Sequence, residues 1–134
     1  MEDIFLIDGG KLYDSPVPAV NRFSWYRTQA LPTFGLVLQG LESRLDATGW
    51  NYYGNMVRDE ASGYVFEDRE MEFTTRGDLN GITGDTTPVI LADWVSGDFA
   101  TVDDYHLQFR AEKAADATRK EYFPIIHVSI LEEV

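Results

Sequence analysis

Along much of the chain, apolar residues either alternate with polar ones or run continuously for four to eight positions, and this pattern predicts a molecule built mainly of strands. Ile4 to Asp8 is a short apolar run ending in the turn Asp8-Gly9-Gly10. Val17 to Tyr26, marked by Pro16 and Pro18, is predicted as an edge strand. Asn51 to Arg58 and Tyr64 to Thr74 flank the turn Asp59-Glu60-Ala61-Ser62-Gly63. In the second run Arg69, Met71 and Phe73 alternate against Glu70 and Glu72, which predicts a hairpin with one wet face. A Gly- and Thr-rich loop, Thr75 to Thr87, leads into Pro88 to Val95, whose apolarity, continuous but for Asp93, predicts a buried central strand.

The last pair constrains its own register. Asp104 to Glu112 and Glu121 to Glu132 are predicted to form a hairpin across a long loop, Lys113 to Lys120. Tyr105, Leu107 and Phe109 on the first strand must share a face with Tyr122, Ile126, Val128 and Ile130 on the second, so odd positions pair with even ones. The simplest such register sets Leu107 opposite Ile126 on the buried side and His106 opposite His127 on the other.

One segment reads as a helix. Phe34, Val37, Leu38, Leu41 and Leu45 recur at helical spacing, Thr33 is placed as an N-cap and Gly49 as a stop, predicting a helix over about 33–47 that Gly35 and Gly40 weaken. Together these elements predict an α+β, mostly β fold. It is a largely antiparallel sheet, sandwich-like or a partly open barrel, with one main helix about 33–47 and a C-terminal long-loop hairpin 104–132. No repeat or linker divides the chain, so a single compact domain, 1–134, is expected, with 1–32 as an extended arm contacting a partner.

Composition narrows the functions. The 134 residues carry a formal charge of −12, which repels polyphosphate and disfavours direct nucleic-acid binding. Having no cysteine, the chain has no disulfide, thiolate zinc site or cysteine nucleophile. The acidic N-terminal stretch does not resemble a secretory signal and no apolar run is long enough for a membrane span, so a soluble, cytoplasmic protein is expected, without membrane contact. Glycine-rich phosphate loops and nucleophile elbows are absent, and no cofactor is expected.

Candidate chemistry is sparse. His106, His127 and Asp104 could approach one another on a sheet face as weak metal ligands. Asp78, Asn80 and Asp85 superficially resemble a calcium loop but lack the third alternating acid before the glycine and the closing glutamate of an EF-hand; the same stretch holds the adhesion-type tripeptide Arg76-Gly77-Asp78. Neighbouring aromatics in an extended chain point to opposite faces, so the clusters holding Trp25, Tyr26 and Arg27, and Trp50, Tyr52 and Tyr53, must place some rings outward. Those six residues are the expected partner-binding surface. The reading these features favour is a non-catalytic assembly or structural subunit working through a protein partner or homo-oligomer, such as a component of a viral particle or tail. Two alternatives are an acidic inhibitor mimicking nucleic-acid charge through Glu67, Asp68, Glu70, Glu72, Asp103 and Asp104, and a small metal-dependent enzyme or calcium-assisted binding domain.

Overall fold

A computed structural model describes residues 4–8, 21–60 and 62–133. Within them the fold is a β-rich, sandwich-like pair of sheets with one short helix. The smaller sheet runs β1 (Ile4–Asp8), β3 (Thr33–Val37), β7 (Pro88–Ala92), β6 (Glu72–Thr75). The larger runs β2 (Asn21–Tyr26), β10 (Ile126–Leu131), β8 (Asp103–Lys113), β4 (Trp50–Arg58), β5 (Tyr64–Glu70), with β9 (Asp116–Tyr122) beside the far half of β8. Pairing is antiparallel except where β1 meets β3 and β2 meets β10.

The sheets face each other across one apolar core. Phe5 and Phe34 of the smaller sheet contact Phe23 and Trp25 of the larger, Trp94 bridges Phe34 to Phe99, and Phe73 stacks on Tyr52. Such ring pairs add about 0.5–1.5 kcal/mol each beyond the area they bury. The chain changes sheets at Met71, whose amide donates to the Tyr52 carbonyl at 2.9 Å, so the run 64–74 is two strands in two sheets. β7 is central in its sheet, between β3 and β6, as its apolarity predicts.

Three expectations need correction. No helix spans 33–47: Thr33–Val37 is a strand and 39–49 is a series of turns. Phe34, Val37, Leu38, Leu41 and Leu45 are all buried, but five consecutive buried positions, 34–38, belong to a strand covered on both faces and its exit, and not to one stripe of a helix. Gly35 fits because a Cβ there would lie within 3.2 Å of side-chain atoms of Leu6, Val89 and Ile4. The helix, α1 (Arg76–Asn80), forms instead in the stretch read as loop, with Thr75 accepting the Asp78 amide at 3.2 Å and Gly81 closing it at φ 77°.

The long-loop hairpin is the second correction. Leu107 does face Ile126, and His106 faces His127. Lys113 to Lys120 is not a loop, however: β8 turns tightly into β9, and Arg110 pairs with Tyr122 and Glu112 with Lys120. Phe123-Pro124-Ile125 then interrupts the strand, and beyond it the register is displaced by one residue. A one-residue displacement inverts facing. Tyr122 is therefore exposed while Phe123 is buried.

The third concerns 1–32, which supplies β1 and β2 to the two sheets; 1–3 and 9–20 lie outside the described residues.

Candidate functional site

The outward face of the larger sheet carries the most organised polar cluster. Alternation along β4 sends Tyr52 into the core and Tyr53 outward, and register then places Tyr53, Arg110 and Tyr122 in one row across β4, β8 and β9. Arg110 is only 7% exposed. Its Nε donates to Glu112 at 2.8 Å, Nη2 to Asp68 at 2.6 Å and Nη1 to Asn55 at 3.5 Å, and the guanidinium lies 4.9 Å from the centre of the Tyr53 ring. Burial pulls its pKa down, but the bonds to Glu112 and Asp68 outweigh that, so the group is held firmly protonated.

Asp68 reaches Arg110 from an irregular point in β5. It adopts φ 53°, in the left-handed region that only glycine and, less easily, Asn and Asp tolerate, beside a register shift between Gly54 and Met56. Its amide donates to Asn55 Oδ1 at 2.7 Å, so one asparagine holds both the backbone of Asp68 and the side chain of Arg110. Around this cluster opens a cleft of about 580 Å³, bounded by Tyr53, Tyr64 and Tyr122, with Glu67 and Lys120 on its walls. Tyr64 and Tyr122 are each 54% exposed.

The expected partner surface divides between inside and outside. Trp25, Trp50 and Tyr52 are packed on or in the core; the Tyr52 hydroxyl donates to the Asp46 carbonyl at 2.8 Å, and burial, then Asp46 and Glu121, raise its pKa. Adjacent rings do point to opposite faces, but the second sheet covers the inward set. Tyr26 remains outside, and exposed Arg27 pairs with Glu132 at 2.9 Å.

The acidic set does not form a free row resembling phosphates. Asp68 is bound to Arg110, Asp103 pairs with Arg58 at 3.6 Å, and Asp104 accepts from the Ser129 hydroxyl at 2.6 Å. Glu67 and Glu70 lie on β5, whereas Glu72 lies on β6 in the other sheet.

His106 and His127 meet edge to face at 4.7 Å, as the inferred register requires. His106 Nε2 is 2.5 Å from Asp59 Oδ1, a neighbour the pattern did not reveal. Burial, then His106 and Arg22, lowers the His127 pKa, with Asp59 and Asp104 opposing. Asp104 is turned to Ser129, and among the described residues no group of three or more His, Asp or Glu side chains converges to hold a metal ion.

Asp78, Asn80 and Asp85 each have a local structural role. Asp78 donates its amide to the Thr75 cap and places its carboxylate in the first turn of α1, Asn80 Oδ1 accepts the Ile82 amide at 3.1 Å, and Asp85 binds Arg76 Nε at 2.8 Å and the Thr87 amide at 3.1 Å. The Arg76 and Thr87 bonds hold the Asp85 pKa below the usual carboxylate range. Arg76-Gly77-Asp78 is therefore part of a capped helix with Gly77 buried, and not a presented loop.

Arg110, Asn55, Glu112, Tyr64 and Tyr122 were not singled out from the sequence. Arg110 and Glu112 do fall on the polar phase of the alternation in β8, which is the one signal that could have flagged them. No helix among the described residues is long and apolar enough to cross a membrane. Neither a protein-family model, nor a curated protein, nor a solved structure matches this chain.

Proposed function

We propose that this chain is a non-catalytic assembly subunit that joins other protein chains by adding a strand at the outer edge of β2. The supporting observation is a contrast between the edges of the larger sheet. β5 carries Glu67, Asp68, Arg69 and Glu70 with a displaced register, and β9 carries Asp116, Arg119, Lys120 and Glu121; charge and irregularity of this kind keep a sheet edge from pairing. β2 reads Asn-Arg-Phe-Ser-Trp-Tyr with a single charge, and among the described residues it pairs only with β10. Beside it, Tyr26 and Leu131 share a register position and are 45% and 41% exposed.

A second copy is the simplest occupant, since an edge that pairs with itself closes a symmetric dimer. Size-exclusion chromatography with light scattering tests this. The chain is expected to run larger than one protomer at high concentration, and Ser24→Lys, which places a charge on the exposed face of the edge, should shift it toward the monomer. A wild-type chain that stays monomeric at the highest accessible concentration, with no partner recovered by cross-linking, refutes the proposal.

A further inference from the structure

We infer that the cleft over Arg110 is a binding site for a neutral oligosaccharide, independent of the β2 edge. Strands in a sheet lie about 4.8 Å apart, so Tyr53 and Tyr122, two strands apart in one row, stand about 10 Å from each other with the Arg110 guanidinium between them. That row is long enough for neighbouring pyranose units, whose C–H faces pack on aromatic rings while their hydroxyls meet the polar floor.

The electrostatics select the ligand class. With Glu67, Asp68 and Glu112 around the cleft and a chain charge of −12, a phosphorylated, sulfated or sialylated ligand is repelled. Arg110 and Lys120 in turn oppose an organic cation, although tyrosines beside carboxylates would otherwise suit one. A neutral polyol uses both signs together, because its hydroxyls donate to the carboxylates and accept from the guanidinium and ammonium groups.

The site is also held in shape before any ligand arrives. Arg110 is fixed on three sides and by the Tyr53 ring, and Asp68 is held at a backbone angle that costs an aspartate free energy, in a cluster on the outer face of the sheet, away from the core. Fixed polar groups cost a ligand less ordering on binding than mobile ones do.

The test is a printed array of neutral and acidic glycans probed with the intact chain, followed by calorimetric titration of the neutral oligosaccharide bound best. Neutral glycans should be retained and acidic ones not. Tyr122→Ala, at an exposed position that leaves the core intact, should weaken binding about five- to tenfold, while Ile82→Ala, on the exposed turn after α1, should not change it. The inference fails if no neutral glycan is retained, if only sialylated or sulfated glycans are, or if Tyr122→Ala binds like the wild type. Chemical-shift changes at Tyr53 and Tyr122 with tetramethylammonium but with no neutral sugar would overturn it in favour of a cation cage.

Discussion

Replacing Gly77 by alanine sets two effects of opposite sign against each other. Gly77 lies inside α1, where alanine is favoured over glycine by about 1 kcal/mol, so helix propensity alone predicts a more stable protein. The surroundings predict the reverse. A Cβ at this position would run into the backbone carbonyl oxygens of Ile82 and Asp85, which cannot rotate away as a side chain would. Relief requires the 82–87 segment to move off the helix, loosening the bonds from the Gly77 amide to Asp85 at 3.0 Å and from the Arg76 amide to Thr87 at 2.8 Å. Each such bond contributes about 1 kcal/mol, and overpacking costs about 1–3 kcal/mol. Setting the propensity gain of about 1 kcal/mol against both bonds and the overpacking leaves Gly77→Ala about 2–4 kcal/mol less stable. Urea denaturation followed by tryptophan fluorescence should show a lower midpoint at unchanged m-value, with Tm reduced by about 3–5 °C per kcal/mol for a chain of this size. A variant as stable as the wild type, or more so, would show that the loop yields easily and that the close approach has no energetic weight.

Two further outcomes test the outer sheet face. Of two substitutions of Asp68, alanine should be the more destabilising in thermal melts: it loses the partner of Arg110 and also meets the left-handed backbone, at a combined cost of about 1–2 kcal/mol, whereas asparagine tolerates that backbone and should cost less; equal melting temperatures would remove strain from the account. Because His127 has a lowered pKa when folded, the unfolded chain binds its proton first on acidification, so this histidine's contribution is intact above pH 6.5 and is lost progressively as pH falls from there through the folded value. His106, Arg22, Asp59 and Asp104 are unchanged in His127→Gln, which should therefore lose less stability than the wild type between pH 7 and 5; matching pH profiles would contradict this.

The sequence was most legible where a strand has one wet face. Alternation in β8 and β10 was enough to align His106 with His127 and Leu107 with Ile126, because only one parity buries both apolar sets. It was least legible where burial is two-sided. Phe34 to Leu38 is covered on both faces, so its apolar positions carry no period, and the buried turn residues Leu41 and Leu45 happened to complete a helical spacing. The cleft was hidden for a related reason. Extending one register through Phe123-Pro124-Ile125 assigned Tyr122 to the core, and without it the row Tyr53, Arg110, Tyr122 could not be assembled. Asp68 gave no local sign either, since its conformation is imposed by Asn55 and Arg110, residues distant in the chain.

The parallel pairing of β2 with β10 has a consequence for how the molecule is made. The two strands are joined across the length of the chain, and the Arg27 to Glu132 ion pair beside them spans 105 residues. As the polypeptide leaves the ribosome, Phe23 and Trp25 emerge long before Val128 and Ile130 exist to complete the sheet beside them. The nascent chain thus holds a ring-bearing strand without its permanent neighbour while the 105 residues separating paired positions are made, the interval in which a holding chaperone gives the most protection. Closing so long a loop makes for slow folding, and β10, not β2, commits the larger sheet to its finished form.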